Sequence, residues 1–192
     1  MNRINKLEVY YHDACVGTMA LYQNRLAVFE YDNDWIADGF SISPFSLPLE
    51  KKVFMPKIDP FDGIFGVFLD YDILMKLTLQ LTKSMEECEK LYKLMCFNVF
   101  AHNRDDHSKN FTFLYNSSEK RWMLSPAYDL TYSNSLGGEH ATTVNGNGIN
   151  PDIDDLLSVA KRIGLNAAES KKTALNIKEC VYEMLHEYIS TR

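Results

Sequence analysis

The chain has 192 residues, with 20 Lys and Arg against 26 Asp and Glu, 46% hydrophobic residues and 24% charged ones. This is the composition of a folded globular chain, not a disordered or collagen-like one, and it is long enough for one large domain or two small ones. The formal net charge of −6 argues against broad, charge-driven nucleic-acid binding. No apolar run reaches the roughly 18 residues of a membrane span. The N-terminus turns charged by Lys6 and Glu8, unlike a secretory signal. Cys15, Cys88, Cys96 and Cys180 are scattered without a C-x-x-C pair, which argues against a zinc knuckle. They read as reduced, buried thiols of a cytoplasmic protein.

The first third reads as β. Leu7–Tyr11, Thr18–Tyr22 and Leu26–Tyr31 are rich in strand formers, with Gln23-Asn24 turning the chain between the last two. Asp34–Ala37 reads as a short helical turn. Pro44, Pro48, Pro56 and Pro60 then punctuate an irregular stretch, and Phe61–Leu69 fits either a strand or a buried helix. From Asp70 the period changes. Ile73, Leu74, Leu77 and Leu81 recur at helical spacing, and Ser84 with Glu87 makes a capping box before a long amphipathic helix ending near Phe100. Phe111–Tyr115 and Arg121–Leu124 flank a polar loop and predict a hairpin. A Gly- and Asn-rich loop follows, in which Asn145–Gly148 reads as a turn. Pro151 suits the first turn of a helix through Arg162, stopped by Gly164, and Asn166 with Glu169 caps a last helix to Ile189. The expected fold is α+β: a β-rich small domain over residues 1–70, then a mainly helical domain over 71–192 with one hairpin.

The chemistry concentrates in Phe97–Phe111, where a strongly apolar helix gives way to a strand through a polar run. Such residues are costly to bury unpaired, so they line a site or a wet surface. Arg104-Asp105 is followed, after four residues, by Asn110, the R-D-x-x-x-x-N spacing of a kinase catalytic loop. A carboxylate there orients the attacking hydroxyl, and an amide oxygen five residues on can ligate a divalent ion without adding charge. Asp129 follows the hairpin, where a kinase carries its magnesium-binding aspartate. The plain alternative for Asp105, Asn110 and Asp129 is a turn-and-cap network, which Asn and Asp also favour. Asp106 is a second acid or an exposed neighbour. His102 fits a helix end through the dipole. Phe97, Phe100, Phe111, Phe113, Trp122, Trp35 and Phe45 read as core, and His12 and His186 as surface residues.

N-R-D-D-H-S-K-N-F (Asn103–Phe111), W-M-L-S-P-A-Y-D-L-T (Trp122–Thr131) and G-G-E-H-A-T-T-V (Gly137–Val144) strongly resemble HipA-type proteins, the kinase toxins of HipBA-like toxin–antitoxin modules. V-G-T-M, F-E-Y-D-N-D-W, S-P-F-S-L-P-L and F-D-G-I-F-G-V-F resemble that family's small N-terminal domain, so the resemblance covers nearly the whole chain. It implies serine/threonine phosphorylation with ATP and magnesium. It makes Asp105 the catalytic aspartate and Asn110 and Asp129 the cofactor-binding magnesium ligands. His107 and Lys109 fall on catalytic-loop positions, with Lys109 near the phosphates. Glu139 and His140 lie in a motif to which the chemistry assigns no role. A HipB-like DNA-binding antitoxin and an aminoacyl-tRNA synthetase are the implied partner and substrate, with no direct nucleic-acid or membrane contact.

The pattern breaks at one place. Family members carry a long middle segment with the phosphate-binding loop and the nucleotide lysine, whereas here Phe68-Leu69-Asp70 runs straight into Tyr71-Asp72-Ile73. No G-x-G-x-x-G and no V-A-I-K strand occurs. Phosphoryl transfer depends on positioning and on charge neutralisation around the triphosphate, so kinase activity of this chain is expected to be very weak or nil. The alternative is a kinase-derived binding module that docks an antitoxin or another HipA-type chain. A weaker one is a metal-dependent phosphohydrolase. Domain swapping into a homodimer is left open.

Overall fold

The computed structural model describes residues 6–22, 26–42, 47–55, 70–135 and 137–189. Contacts divide the chain into two compact units, Met1–Val67 and Phe68–Arg192. The Gln23-Asn24 turn, Phe45, the prolines at 44, 56 and 60 and the ambiguous Phe61–Leu69 run lie outside the described residues, as does the side chain of His186.

The first unit is a four-stranded antiparallel sheet in the order β1-β2-β3-β4, formed by β1 (Lys6–Tyr11), β2 (Ala14–Tyr22), β3 (Leu26–Tyr31) and β4 (Val53–Phe54), with helix α1 (Asn33–Asp38) after β3. Strand alternation puts Val16, Phe29, Tyr31 and Phe54 inside with Trp35 and Leu47. Two polar tips in this core are satisfied. The Tyr31 hydroxyl donates to Leu47 O at 2.6 Å and accepts from Ile42 N at 2.9 Å, and Trp35 Nε1 donates to Phe40 O at 2.9 Å. At Gly17 a Cβ would lie 2.3 Å from Glu30 O and 2.7 Å from the Phe29 ring, so only glycine fits against the neighbouring strand. His12 is exposed, as the sequence predicts.

The second unit holds α2 (Tyr71–Thr82), α3 (Met85–Phe100), the hairpin β5 (Phe113–Asn116) with β6 (Arg121–Leu124), α4 (Ile153–Ile163) and α5 (Ala167–Ile189). The architecture is therefore α+β, with the helical region and hairpin the sequence predicts. Its core runs through Tyr71, Leu74, Met75, Leu91, Tyr92, Met95, Leu156 and Val159. The inner face of α2 is Tyr71, Leu74, Met75, Thr78 and Thr82, so Ile73 is 54% exposed rather than core-facing. Of the aromatics expected inside, Phe111 is buried, Phe100 and Phe113 are half-buried against the core, and Phe97 and Trp122 are half-buried. Cys88 and Cys96 are buried, Cys15 is half-buried and Cys180 is exposed, so the expectation of four buried thiols holds for two. Burial pushes the Cys88 thiol up to about 11 and the Cys96 thiol up to about 12.

Two caps differ from expectation. Ser84 does cap α3, its hydroxyl accepting from Glu87 N at 3.4 Å. Glu87 does not return to Ser84; its buried carboxylate accepts Leu124 N at 2.8 Å and meets Lys90 Nζ at 2.8 Å. A buried carboxylate needs partners on both oxygens, and the end of β6 and Lys90 supply them. Pro151 stands one residue before the N-cap of α4, because Asp152 is that N-cap, in a reciprocal box with Asp155. Gly164 ends that helix at φ 87°, and Asn166 caps α5 through Ala168 N and Glu169 N. Asn145 and Gly146 both have positive φ, 56° and 77°, the signature of a tight primed turn, and Asp70 Oδ2 holds it through Gly146 N at 2.8 Å.

Candidate functional site

The polar run leaves α3 through Ala101 and His102, the latter at φ 52°. His102 is not held there as a helix-end cation: burial, then the charges of Arg104 and His140, press its imidazole below the ordinary histidine range. The loop is fixed from outside by main-chain bonds. Ser133 N donates to His102 O at 2.9 Å, Arg104 N to Ser133 O at 3.1 Å, and Ala141 N to Arg104 O at 3.0 Å.

Its anchor is Asp106, which is fully buried rather than an exposed neighbour. Tyr71 Oη donates to Asp106 Oδ2 at 3.0 Å, and His140 Nδ1 lies 3.0 Å from the same oxygen. Thr142 N donates to Oδ1 at 3.1 Å, and Thr142 Oγ1 donates to Asp106 O at 2.5 Å. The network continues from Asn98 Nδ2 to Tyr71 Oη at 2.9 Å and from Asn103 Nδ2 to Asn98 Oδ1 at 3.0 Å. Burial first, then the Asp106 charge, drive the Tyr71 phenol well above its usual range, so it stays protonated and donates. His140, left without a role by sequence reasoning, is a partner in this anchor. The two aspartates of Asp105-Asp106 thus separate by burial. Sequence could not show this, because the partners of Asp106 lie at 71, 140 and 142.

Asp105 points the other way, with a side chain 58% exposed, and His107 Nε2 lies 4.0 Å from its Oδ1. Asn110 is buried in a 3-10 turn (Ser108–Asn110), and its Nδ2 donates to Asp105 O at 2.9 Å. That bond commits the amide's donor end and leaves the acceptor Oδ1 for a ligand. Lys109 is exposed, and its carbonyl accepts from Tyr128 Oη at 2.5 Å. Asp129 follows Tyr128, exposed and in the left-handed region at φ 55°, and its carbonyl accepts Asn103 Nδ2 at 3.3 Å. The Asp129 segment is therefore tied to the loop twice, through Asn103 and through Lys109. Asn103 Oδ1 and His107 Nδ1 are buried with no hydrogen-bond partner among the described residues.

Among the described residues no group of three or more His, Cys, Asp and Glu side chains is placed to hold a metal. One carboxylate and one amide oxygen are too few for an all-protein cage, but they suit an ion that keeps waters and shares substrate phosphates, as magnesium does. Held by one carboxylate and one amide oxygen, magnesium would take its remaining ligands from water and phosphate oxygens.

Family models match this chain at residues 47–187, as a HipA-like C-terminal domain, and at residues 7–71, as a HipA N-terminal domain. The chain belongs to the HipA family. It is thereby related to the HipA toxin kinases, which use ATP and magnesium. No curated protein matches it. Among solved structures it is similar in fold to a chain of the "Shewanella oneidensis MR-1 Toxin Antitoxin System HipA, HipB and its operator DNA complex", with a TM-score of 0.51 and 12% identity. That match covers 100% of this chain and 60% of the other, so this HipA-family chain spans less than two thirds of its relative's length. No helix among the described residues is long and apolar enough to cross a membrane.

Proposed function

We propose that this chain keeps the phosphoryl-transfer half of a HipA-type serine/threonine kinase site and binds magnesium–ATP weakly, with slow or no transfer when alone. Asp105 orients the substrate hydroxyl and takes its proton. Asn110 Oδ1 and the Asp129 carboxylate hold magnesium, which when bound neutralises charge on the phosphates. His107 steadies the Asp105 carboxylate, and Lys109 faces the phosphates from the loop rim. The observation that carries this reading is the Asn110 Nδ2 bond to Asp105 O, which fixes the amide with its oxygen free. Weak transfer follows from the sequence, which has no glycine-rich loop and no nucleotide lysine. Each lost charge-stabilising contact of that kind costs about 3 kcal/mol in the transition state.

The domain reading is retained within this proposal: residues 1–70 as the small HipA-type domain and 71–192 as the kinase-lobe domain. A HipB-like antitoxin is the proposed partner, by analogy with the Shewanella complex, which contains HipB and operator DNA. An aminoacyl-tRNA synthetase is the proposed substrate. The second reading is a silent docking module that binds an antitoxin or another HipA-type chain. Thermal-shift titration separates the two. Magnesium–ATP should raise Tm, magnesium alone should not, and Asp129→Ala should abolish the rise. A flat response to millimolar magnesium–ATP would leave the docking role.

A further inference from the structure

Arg104 makes no ion pair among the described residues. Nη1 donates to Gly138 O at 2.6 Å, and Nη2 to Ile149 O at 3.2 Å and Asn150 Oδ1 at 3.4 Å. All three acceptors are neutral. Nε is buried with no partner, and no ion pair among the described residues includes this guanidinium. A guanidinium stays charged in such a setting and projects a positive field.

That field opens on a cavity of about 360 Å³, lined by Arg104, Phe100, Ile149, Lys178 and Val181 among others. Lys178 Nζ, on the exposed side of α5, lies 5.8 Å from the Phe100 ring centre. Two acids stand nearby, each hydrogen-bonded elsewhere and neither paired with Arg104. Asp152 also lines the cavity, but its carboxylate accepts Asp154 N and Asp155 N as the cap of α4. Asp106, behind the lining residue His140, is held by Tyr71, Thr142 and His140 itself. The volume is in the range of small-molecule sites.

We propose that this cavity binds a small organic monoanion with an apolar body, its charged end between Arg104 and Lys178 and its apolar end against Phe100, Ile149 and Val181. The site is separate from the magnesium residues, yet Arg104 adjoins Asp105 by one peptide bond, so an occupant braces the catalytic loop. Calorimetric titration of the full chain with octanoate and 4-phenylbutyrate, against octanamide as a neutral control, tests it. At least one acid should bind saturably at one-to-one stoichiometry below about 1 mM, with octanamide weaker than octanoate by about tenfold or more. Lys178→Glu and Ile149→Trp, both at exposed positions, should each weaken binding by about tenfold or more without lowering Tm. Asp129→Ala should leave it unchanged. No saturable binding by either acid, equal affinity for acid and amide, or indifference to both cavity variants would overturn the proposal.

Discussion

Asp105 and Asp106 share a peptide bond and little else. Asp106 is fully buried between Tyr71, His140 and Thr142, whereas the side chain of Asp105 is more than half exposed and touched mainly by His107. Removing a buried, fully hydrogen-bonded carboxylate strands its donors, so Asp106→Ala should lower unfolding free energy by about 3–5 kcal/mol in urea titration. Asp105→Ala should stay within roughly 0.5 kcal/mol of the parent chain, because Asn110 bonds its main-chain oxygen and not its carboxylate. Equal losses at the two positions would refute this division. The cysteines divide in the same way. With burial raising the thiols of Cys88 and Cys96 to about 11 and about 12, native alkylation near pH 8 should label Cys180 first and Cys15 more slowly. Cys88 and Cys96 should react only on unfolding, as mass spectrometry of labelled peptides would read.

At the scale of elements, helix starts are where side chains most constrain the fold. Asp155 bridges Asn145, Asn147 and the Asp152 amide. Desolvation raises its carboxyl, but those three hydrogen bonds outweigh it and hold the group below the usual carboxylate range. A depressed carboxyl contributes stability above its unfolded value and loses it as pH falls through the folded one. Asp155→Asn should therefore lower Tm at pH 7, and the difference from the parent chain should shrink as the pH is taken down through the carboxylate range. The helices and the β5–β6 hairpin were legible in sequence because period and turn residues are local signals. The use of Glu87 was not. The S-x-x-E pattern predicts a box with Ser84, yet burial sends the carboxylate 37 residues along the chain to Leu124 N. Glu87→Ala should accordingly cost about 2 kcal/mol or more through the lost hairpin anchor, not the few tenths of a surface cap.

At the scale of the molecule, both family segments and the α+β plan were readable from motif order: small strands, long helix, polar loop, hairpin, second aspartate. The Asp106 anchor was not readable, since its partners come from α2 and the 140–142 segment. Nor was β4, whose two residues are defined by pairing Phe54 with Phe29 and Val53 with Glu30. This anchor fixes the loop that carries Asp105 and Asn110, and Asn103 and Tyr128 tie the segment through Asp129 to it. On the function proposed above, Asn110 and Asp129 hold a divalent cation only together with nucleotide phosphates. Water-proton relaxation with manganese as the magnesium substitute tests it directly. The chain with manganese alone should give little enhancement, ATP should give a clear rise, and Asp129→Ala should lose that rise with circular dichroism unchanged. An ATP-dependent signal that persists in Asp129→Ala, or strong manganese binding without ATP, would contradict it.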